Sequence, residues 1–239
     1  MEEKEAPMIY VMSDIHGEFK KYTEMLEKIK LCDSDTLYVL GDCVDRGPDP
    51  ERVLFNMYMR RNVRPVMGNH ELMALKAMEP FMSEDNYEGF DLELKGSRRE
   101  YFHFWIRHGG YTTFRSFEAL SKDRRETLWR YMKSFRPYEL LAGPEGRTFI
   151  LTHAGLGNYY EGKPLTEYTV SELACDRPVF GRKYYDDTVT VIAGHTPTLS
   201  INGKAEIFTS ENLKIIDCGA TFGGALACLC LDTMEEFYV

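Results

Sequence analysis

No apolar run in this 239-residue sequence approaches the roughly 20 residues that a membrane-spanning helix needs. Positive charge is also scarce: 29 lysines and arginines stand against 38 acidic residues, a net charge of −9. Phosphate backbones reward clustered Lys and Arg, so this balance argues against a nucleic-acid partner, although a local pocket can still reverse the sign of the field. The first residues, MEEKEAP, lack the basic and apolar regions of a secretory signal. Cysteine is sparse and scattered. Cys32, Cys43, Cys175, Cys218, Cys228 and Cys230 include no CxxC pair, which in a chain of this size predicts reduced thiols in a cytoplasmic protein rather than a disulfide framework. Cys228 and Cys230, two apart in an apolar run, are expected on one side of a strand. Neither a fixed-period repeat nor a low-complexity segment is present. The remaining composition is ordinary globular, 44% hydrophobic and 28% charged, with length enough for one large domain and a sizeable core.

Along the first third, apolar runs alternate with helical periodicity. Strands are predicted at 8–13, 35–40 (DTLYVL) and 62–67 (NVRPVM), each followed by a segment with helical spacing: KYTEMLEKIKL, ERVLFNMYMRR and GNHELMALKAM. That order implies an α/β layered fold with parallel strands. Residues 79–140, rich in aromatics and charge, read as a helical insertion within a single domain spanning 1–239. RTFILTHAG and DTVTVIAGHT then restore the strand-then-polar-loop unit. The tail (AEIFTS, NLKIIDCG, GALACLCLD, EEFYV) has a period near two and predicts an antiparallel or mixed sheet.

The loops after these strands share one grammar. SDIHG places Asp14 and His16 after the first strand. GDCVDRG places Asp42, Asp45 and Arg46 after the second, and GNHE places Asn69, His70 and Glu71 after the third. THAG and AGHT add His153 and His195, and Asp217 ends a further strand. Any one of these could be loop chemistry or a satisfied buried histidine. Together they predict a pocket at the strand C-terminal edge, where layered α/β folds collect ligands. Asp, His and Asn without thiolate suit borderline-hard divalent metals, and a metal would offset the cost of desolvating them.

SDIHG, GDCVDRG, GNHE, THAG and AGHT, in this order and spacing, resemble the calcineurin-like metallophosphoesterase superfamily, and within it the serine/threonine phosphoprotein phosphatase family in its small bacterial and phage form. The resemblance runs from Asp14 to about Asp217 and is thinnest over 79–140. It implies a four-layer α/β sandwich of two mixed sheets flanked by helices around a binuclear metal centre. One ion is then held by Asp14, His16 and a bridging Asp42, the other by Asp42, Asn69, His153 and His195. Mn²⁺ heads the metals such a set accepts, with Fe²⁺, Zn²⁺ and Ni²⁺ behind it. The implied reaction is direct attack of a metal-bridging hydroxide on a phosphate ester, with no phosphoenzyme.

The same resemblance assigns phosphate binding to Arg46, Asn69 and Arg177. Arg177 stands in LACDRPVF without the Trp often found upstream, so Arg182 is its fallback. His70 is the general acid, oriented and kept cationic by Asp45. Glu71 is read as a helix cap, His108-Gly109-Gly110 and His103 as structural, and Asp217 as support beneath the site. Gly41, Gly47 and Gly68 are read as tight-turn positions. The substrate implied is a phosphorylated protein or phosphopeptide, with no nucleic-acid or membrane partner. The alternative is a dinucleoside polyphosphate hydrolase such as one acting on diadenosine tetraphosphate, though such enzymes usually carry Ala at position 45 and Asp at 71. A non-catalytic, metal-stabilised binding module is the remote alternative.

Overall fold

The computed structural model describes residues 6–83 and 96–239. Its three opening strands, β1 (Ile9–Met12), β2 (Thr36–Leu40) and β3 (Val63–Val66), run parallel, joined by helices α1 (Phe19–Lys28), α2 (Pro50–Met59) and α3 (Asn69–Met78). Later come β4 (Tyr138–Ala142), β5 (Thr148–Thr152), β6 (Val189–Ala193), β7 (Phe208–Ser210), β8 (Leu213–Ile215), β9 (Ala227–Cys230) and β10 (Glu236–Tyr238). They assemble into two mixed five-stranded sheets, ordered β10-β9-β1-β2-β3 and β4-β5-β6-β8-β7.

Period-two alternation places the layers. Val11, Leu40 and Leu229 of the first sheet meet Phe149, Leu151 and Ile192 of the second in a buried slab between the sheets. Their strand neighbours point the other way. Tyr10, Met12, Cys228 and Cys230 pack toward α1–α3, so the two cysteines do share a face. Ile150, Val191 and Ala193 pack outward against Leu156, Tyr168, Leu173 and Tyr184. All six cysteines are free.

Two expectations need correction. The tail does not form one sheet: β7 and β8 close the second sheet, whereas β9 and β10 return to β1 in the first. A period of two fixes which face a residue takes, but not which strand it pairs with. The insertion is helical where described, over Gly96–Trp105, Tyr111–Glu118 and Lys122–Lys133, but residues 138–140 already belong to β4, and 84–95 lie outside the described residues. It packs into the body of the fold. Phe102, Trp105, Phe117, Leu128 and Met132 share the core of α1–α3. No helix among the described residues is long and apolar enough to cross a membrane.

Candidate metal centre

The loops that leave the strands are tied to one another by backbone. The His16 N–H donates to the Asp42 carbonyl at 2.8 Å and the Gly17 N–H to that of Cys43 at 2.8 Å, so the turns after β1 and β2 run side by side. The second sheet joins them across the slab: the His195 N–H donates to Asp14 Oδ2 at 2.9 Å, and His153 Nδ1 to the Leu40 carbonyl at 2.7 Å. Gly68 permits one such close approach. A Cβ there would sit 2.4 Å from both the amide nitrogen and Oδ1 of Asp42. Six site residues that are not glycine, Asp14, His16, Asp42, Asp45, Arg46 and His195, have φ between 46° and 69°. Such left-handed conformations cost on the order of 1–3 kcal/mol each and persist where surrounding bonds over-determine them, often at functional sites.

Six of the expected residues converge. His16, Asp42 and His70 bring one donor atom each within 4.8 Å of the others, and so do Asp42, His153 and His195. Asp42 belongs to both groups, as a shared bridging ligand must. Asn69 Oδ1 lies 2.9 Å from His153 Nε2 and 2.8 Å from His195 Nδ1. Asp14 stands beside the first group: Oδ2 accepts from Ser13 Oγ and from the His195 N–H, and its charge pushes the Asp42 carboxyl up. Asp217 accepts the Gly219 N–H at 2.9 Å, and after burial its charge helps to raise the Asp14 carboxyl.

The tautomers test whether a cation fits. His16 Nδ1 donates to the Val44 carbonyl at 2.9 Å and His153 Nδ1 to that of Leu40. Each Nε2 therefore presents a lone pair, and both point at Asp42 oxygens, 3.5 and 3.4 Å away. Burial first, then neighbouring cations and imidazoles, hold both rings well below the usual histidine range, so neither can supply the missing proton. Burial drives Asp14 and Asp42 the opposite way, well above the usual carboxylate range. Buried acceptors facing acceptors are costly unless a cation lies among them, and imidazole with carboxylate is the donor set for Mn, Fe, Zn or Ni. The Arg46 guanidinium already answers this field, donating to Nε2 of His16 and, at 2.9 Å, to Nε2 of His70.

His70 Nδ1 donates to Asp45 Oδ2 at 2.7 Å, the orientation expected of an acid and its partner. The expectation that Asp45 keeps the ring cationic needs correction: burial outweighs the carboxylate, and the His70 pKa is lowered. An arriving phosphate dianion would favour the proton again. Arg177 is exposed on the rim, where its charge, after burial, helps hold His195 at about 4. Arg182 instead donates to the Tyr159 carbonyl at 3.3 Å.

Several residues escaped sequence reasoning. Trp105 Nε1 donates to Asp45 Oδ2 at 2.8 Å, Thr113 Oγ1 donates to Oδ1 at 2.6 Å, and the Gly109 carbonyl accepts the Arg46 N–H at 2.9 Å. The HGG loop is thus structural in a particular way: it holds Arg46, while Trp105 and Thr113 on either side of it hold Asp45. The Phe222 ring lies 5.0 Å from Arg46 Cζ and is 55% exposed. Glu71 does more than cap α3. Besides the Gly68 N–H at 3.1 Å, it accepts from the amides of Asp42 at 2.8 Å and Cys43 at 2.7 Å. These partners lie tens of residues apart, and no local pattern announces them.

The chain is similar over part of its length to proteins named "Bis(5'-nucleosyl)-tetraphosphatase, symmetrical". It is 32% identical over 101 residues to that of Buchnera aphidicola subsp. Schizaphis graminum, covering 41% of this chain and 37% of that one. It is 31% identical over 102 residues to that of Delftia acidovorans, covering 42% and 36%. The chain therefore matches little more than a third of these relatives' length. Among solved structures, one described as a candidate diadenosine tetraphosphatase superposes with a TM-score of 0.65 at 17% identity, covering 99% of this chain and 94% of that one. A protein serine/threonine phosphatase from Saccharomyces cerevisiae gives 0.60 at 14% identity, covering 98% and 80%, and both likenesses concern the fold alone. Residues 7–199 match the calcineurin-like phosphoesterase family. Because that stretch takes in strands of both sheets and every loop that delivers an imidazole to the metal centre, the chain belongs to the calcineurin-like phosphoesterases.

Proposed function

We propose that this metal-dependent phosphoesterase hydrolyses dinucleoside polyphosphates. The observation that carries the substrate class is the 31–32% identity to symmetrical bis(5'-nucleosyl)-tetraphosphatases over about 100 residues. Asp42, Asn69, His153 and His195 would hold one divalent ion, and His16 with Asp42, and Asp14 beside them, the other. Two such ions, with Mn²⁺ the proposed pair, would supply Lewis acidity to a phosphoryl group and to water near neutral pH. The chain's residues do the rest. Arg46 offers a planar fork to the phosphate oxygens that Lys could not match, and its stack on Phe222 fixes the fork's plane. Arg177 meets the phosphate chain at the rim. Asn69 joins the two late histidines as a ligand, and Asp45 orients His70 toward the leaving oxygen.

One observation favours a second reading, a phosphoserine or phosphothreonine phosphatase. A nucleotide leaves as a weak base and needs little protonation, whereas a serine alkoxide needs an acid. The His70–Asp45 pair, braced by Trp105 and Thr113, is built as such an acid should be. The test is a substrate panel on the Mn²⁺-loaded chain: diadenosine tetraphosphate, a phosphoserine peptide and an aryl phosphate side by side, with metal content measured. The proposal expects kcat/KM at least about tenfold higher for the dinucleotide, a preference of about 1.4 kcal/mol. Preference for the peptide establishes the second reading, and turnover of none leaves a metal-stabilised binding module. Six free cysteines support a cytoplasmic setting, and the net charge of −9 supports small-molecule or peptide partners over nucleic acid.

A further inference from the structure

A cavity of about 660 Å³ opens directly from the metal centre, with Asn69 and His195 in the walls of both. Its volume lies within the roughly 300–1,000 Å³ of small-molecule sites. α3 supplies an apolar floor, Leu72, Met73 and Leu75, all left only partly covered by the core. Tyr101 and Phe104, one turn apart on the helix Gly96–Trp105, supply an aromatic wall, and Phe104 is 40% exposed. Two cations, Lys76 and Lys133, one acid, Glu79, and Cys175 complete the lining among the described residues, a local reversal of the chain's acidic balance. Lys76 Nζ sits 4.2 Å from the Tyr101 ring centroid and pins that ring in place.

We infer that this cavity is the nucleoside subsite: it takes the base and ribose of a nucleotide whose phosphates lie at the metal centre. The assignment takes its ligand class from the proposed function and rests on it. Metal ligands, lysines and aromatic rings line one cavity, and a nucleotide joins the parts that such groups take: phosphate, and a flat aromatic base carried on its sugar. Phe104 and Tyr101 offer stacking to any base, Leu72 and Met73 bury its edge, and Glu79 offers an acceptor to an exocyclic amine. Lys76 and Lys133 complement phosphates that extend away from the metals. An orthophosphate or a serine phosphate alone would leave this apolar volume wet.

The experiment compares two non-hydrolysable ligands with the same phosphorus chain, α,β-methylene-ADP and methylenediphosphonate, by calorimetric titration of the Mn²⁺-loaded chain. The nucleoside-bearing ligand is expected to bind at least about tenfold more tightly, since one base–aromatic stack is worth about that factor. Phe104→Ala should remove most of that advantage and leave methylenediphosphonate unchanged, with Tyr101→Leu as the second variant. Equal affinities in the unaltered chain, or an advantage kept in both variants, would overturn the assignment. Its failure is separable from that of the proposed function. Nucleoside-dependent binding without dinucleotide turnover defeats the function and leaves the subsite. Dinucleotide turnover with a ratio insensitive to both variants defeats the subsite alone.

Discussion

At the scale of the residue, Asp45 and Glu71 show what a buried carboxylate can do. Each is fully buried and each accepts several protein hydrogens. Asp45→Asn would turn one acceptor into a donor facing Trp105 or Thr113 and release the His70 ring. An oriented general acid contributes about 10²–10⁴ in rate. Turnover of an alkyl phosphate should therefore fall at least about a hundredfold in Asp45→Asn, and that of an aryl phosphate, whose leaving group needs no proton, less than about tenfold. Steady-state kinetics on the two esters check this; equal losses would remove His70 from proton donation. Glu71→Gln sets an amide against the N–H groups of Asp42 and Cys43. Supports of this kind behind a metal ligand are worth about 10–100-fold in metal affinity. A Mn²⁺ titration should show that loss, with a lowered melting temperature; unchanged affinity would reduce Glu71 to a helix cap.

At the scale of the element, the insertion helices are part of the site. The helical turn at Ile106–Gly110 swings Trp105 under Asp45 and the Gly109 carbonyl onto Arg46. Gly110 leaves no room for a side chain: a Cβ would lie 2.3–2.6 Å from three atoms of the Trp105 indole. Gly110→Ala should displace that ring and lower the melting temperature, overpacking costing about 1–3 kcal/mol. It should also reduce turnover along with Trp105→Phe, which keeps the ring and removes the N–H. The start of the helix Val170–Ala174 gives a pH prediction. Glu172 accepts from the Thr169 N–H, Lys163 and Asn158, and these bonds lower its carboxyl from 4.5 to about 2. A depressed folded pKa stabilises fully above 4.5, and that contribution disappears as pH falls from 4.5 through 2. Glu172→Gln should therefore flatten the stability–pH curve in that window, measured by urea unfolding, and leave its slope near pH 7 unchanged.

At the scale of the molecule, legibility divides by distance. The first three strands and helices were readable because each carries its own periodicity, and the donor residues because each sits at the end of such a unit. Partners that meet only on folding were not: Trp105 on Asp45, Leu40 on His153, β9 on β1. Those contacts depend on which strands pair and which loops cross, and no window of sequence contains them. The same distance would make bound metals structural, since their ligands come from loops far apart in the chain. A ligand bound at about 100 times its Kd stabilises the folded state by about 2.7 kcal/mol. At about 2–4 °C per kcal/mol for a chain of this size, chelation should lower the melting temperature by at least about 5 °C, and Mn²⁺ should restore it in calorimetry. An unchanged melting temperature would mean that the donors do not hold an ion.

The pairing of β9 with β1 also bears on how the molecule is made. Tyr10 finds its antiparallel neighbour in Cys230, 220 residues further on. While a ribosome is still building the chain, β1 can rest against β2 on one side, but its opposite edge stays bare until Cys228–Cys230 have been made. Through that interval the nascent protein carries an open, apolar ribbon edge, the kind that invites pairing with another chain. A product stalled before β9 should therefore clump or draw a chaperone, and β9 with β10 acts as the clasp that shuts the first sheet.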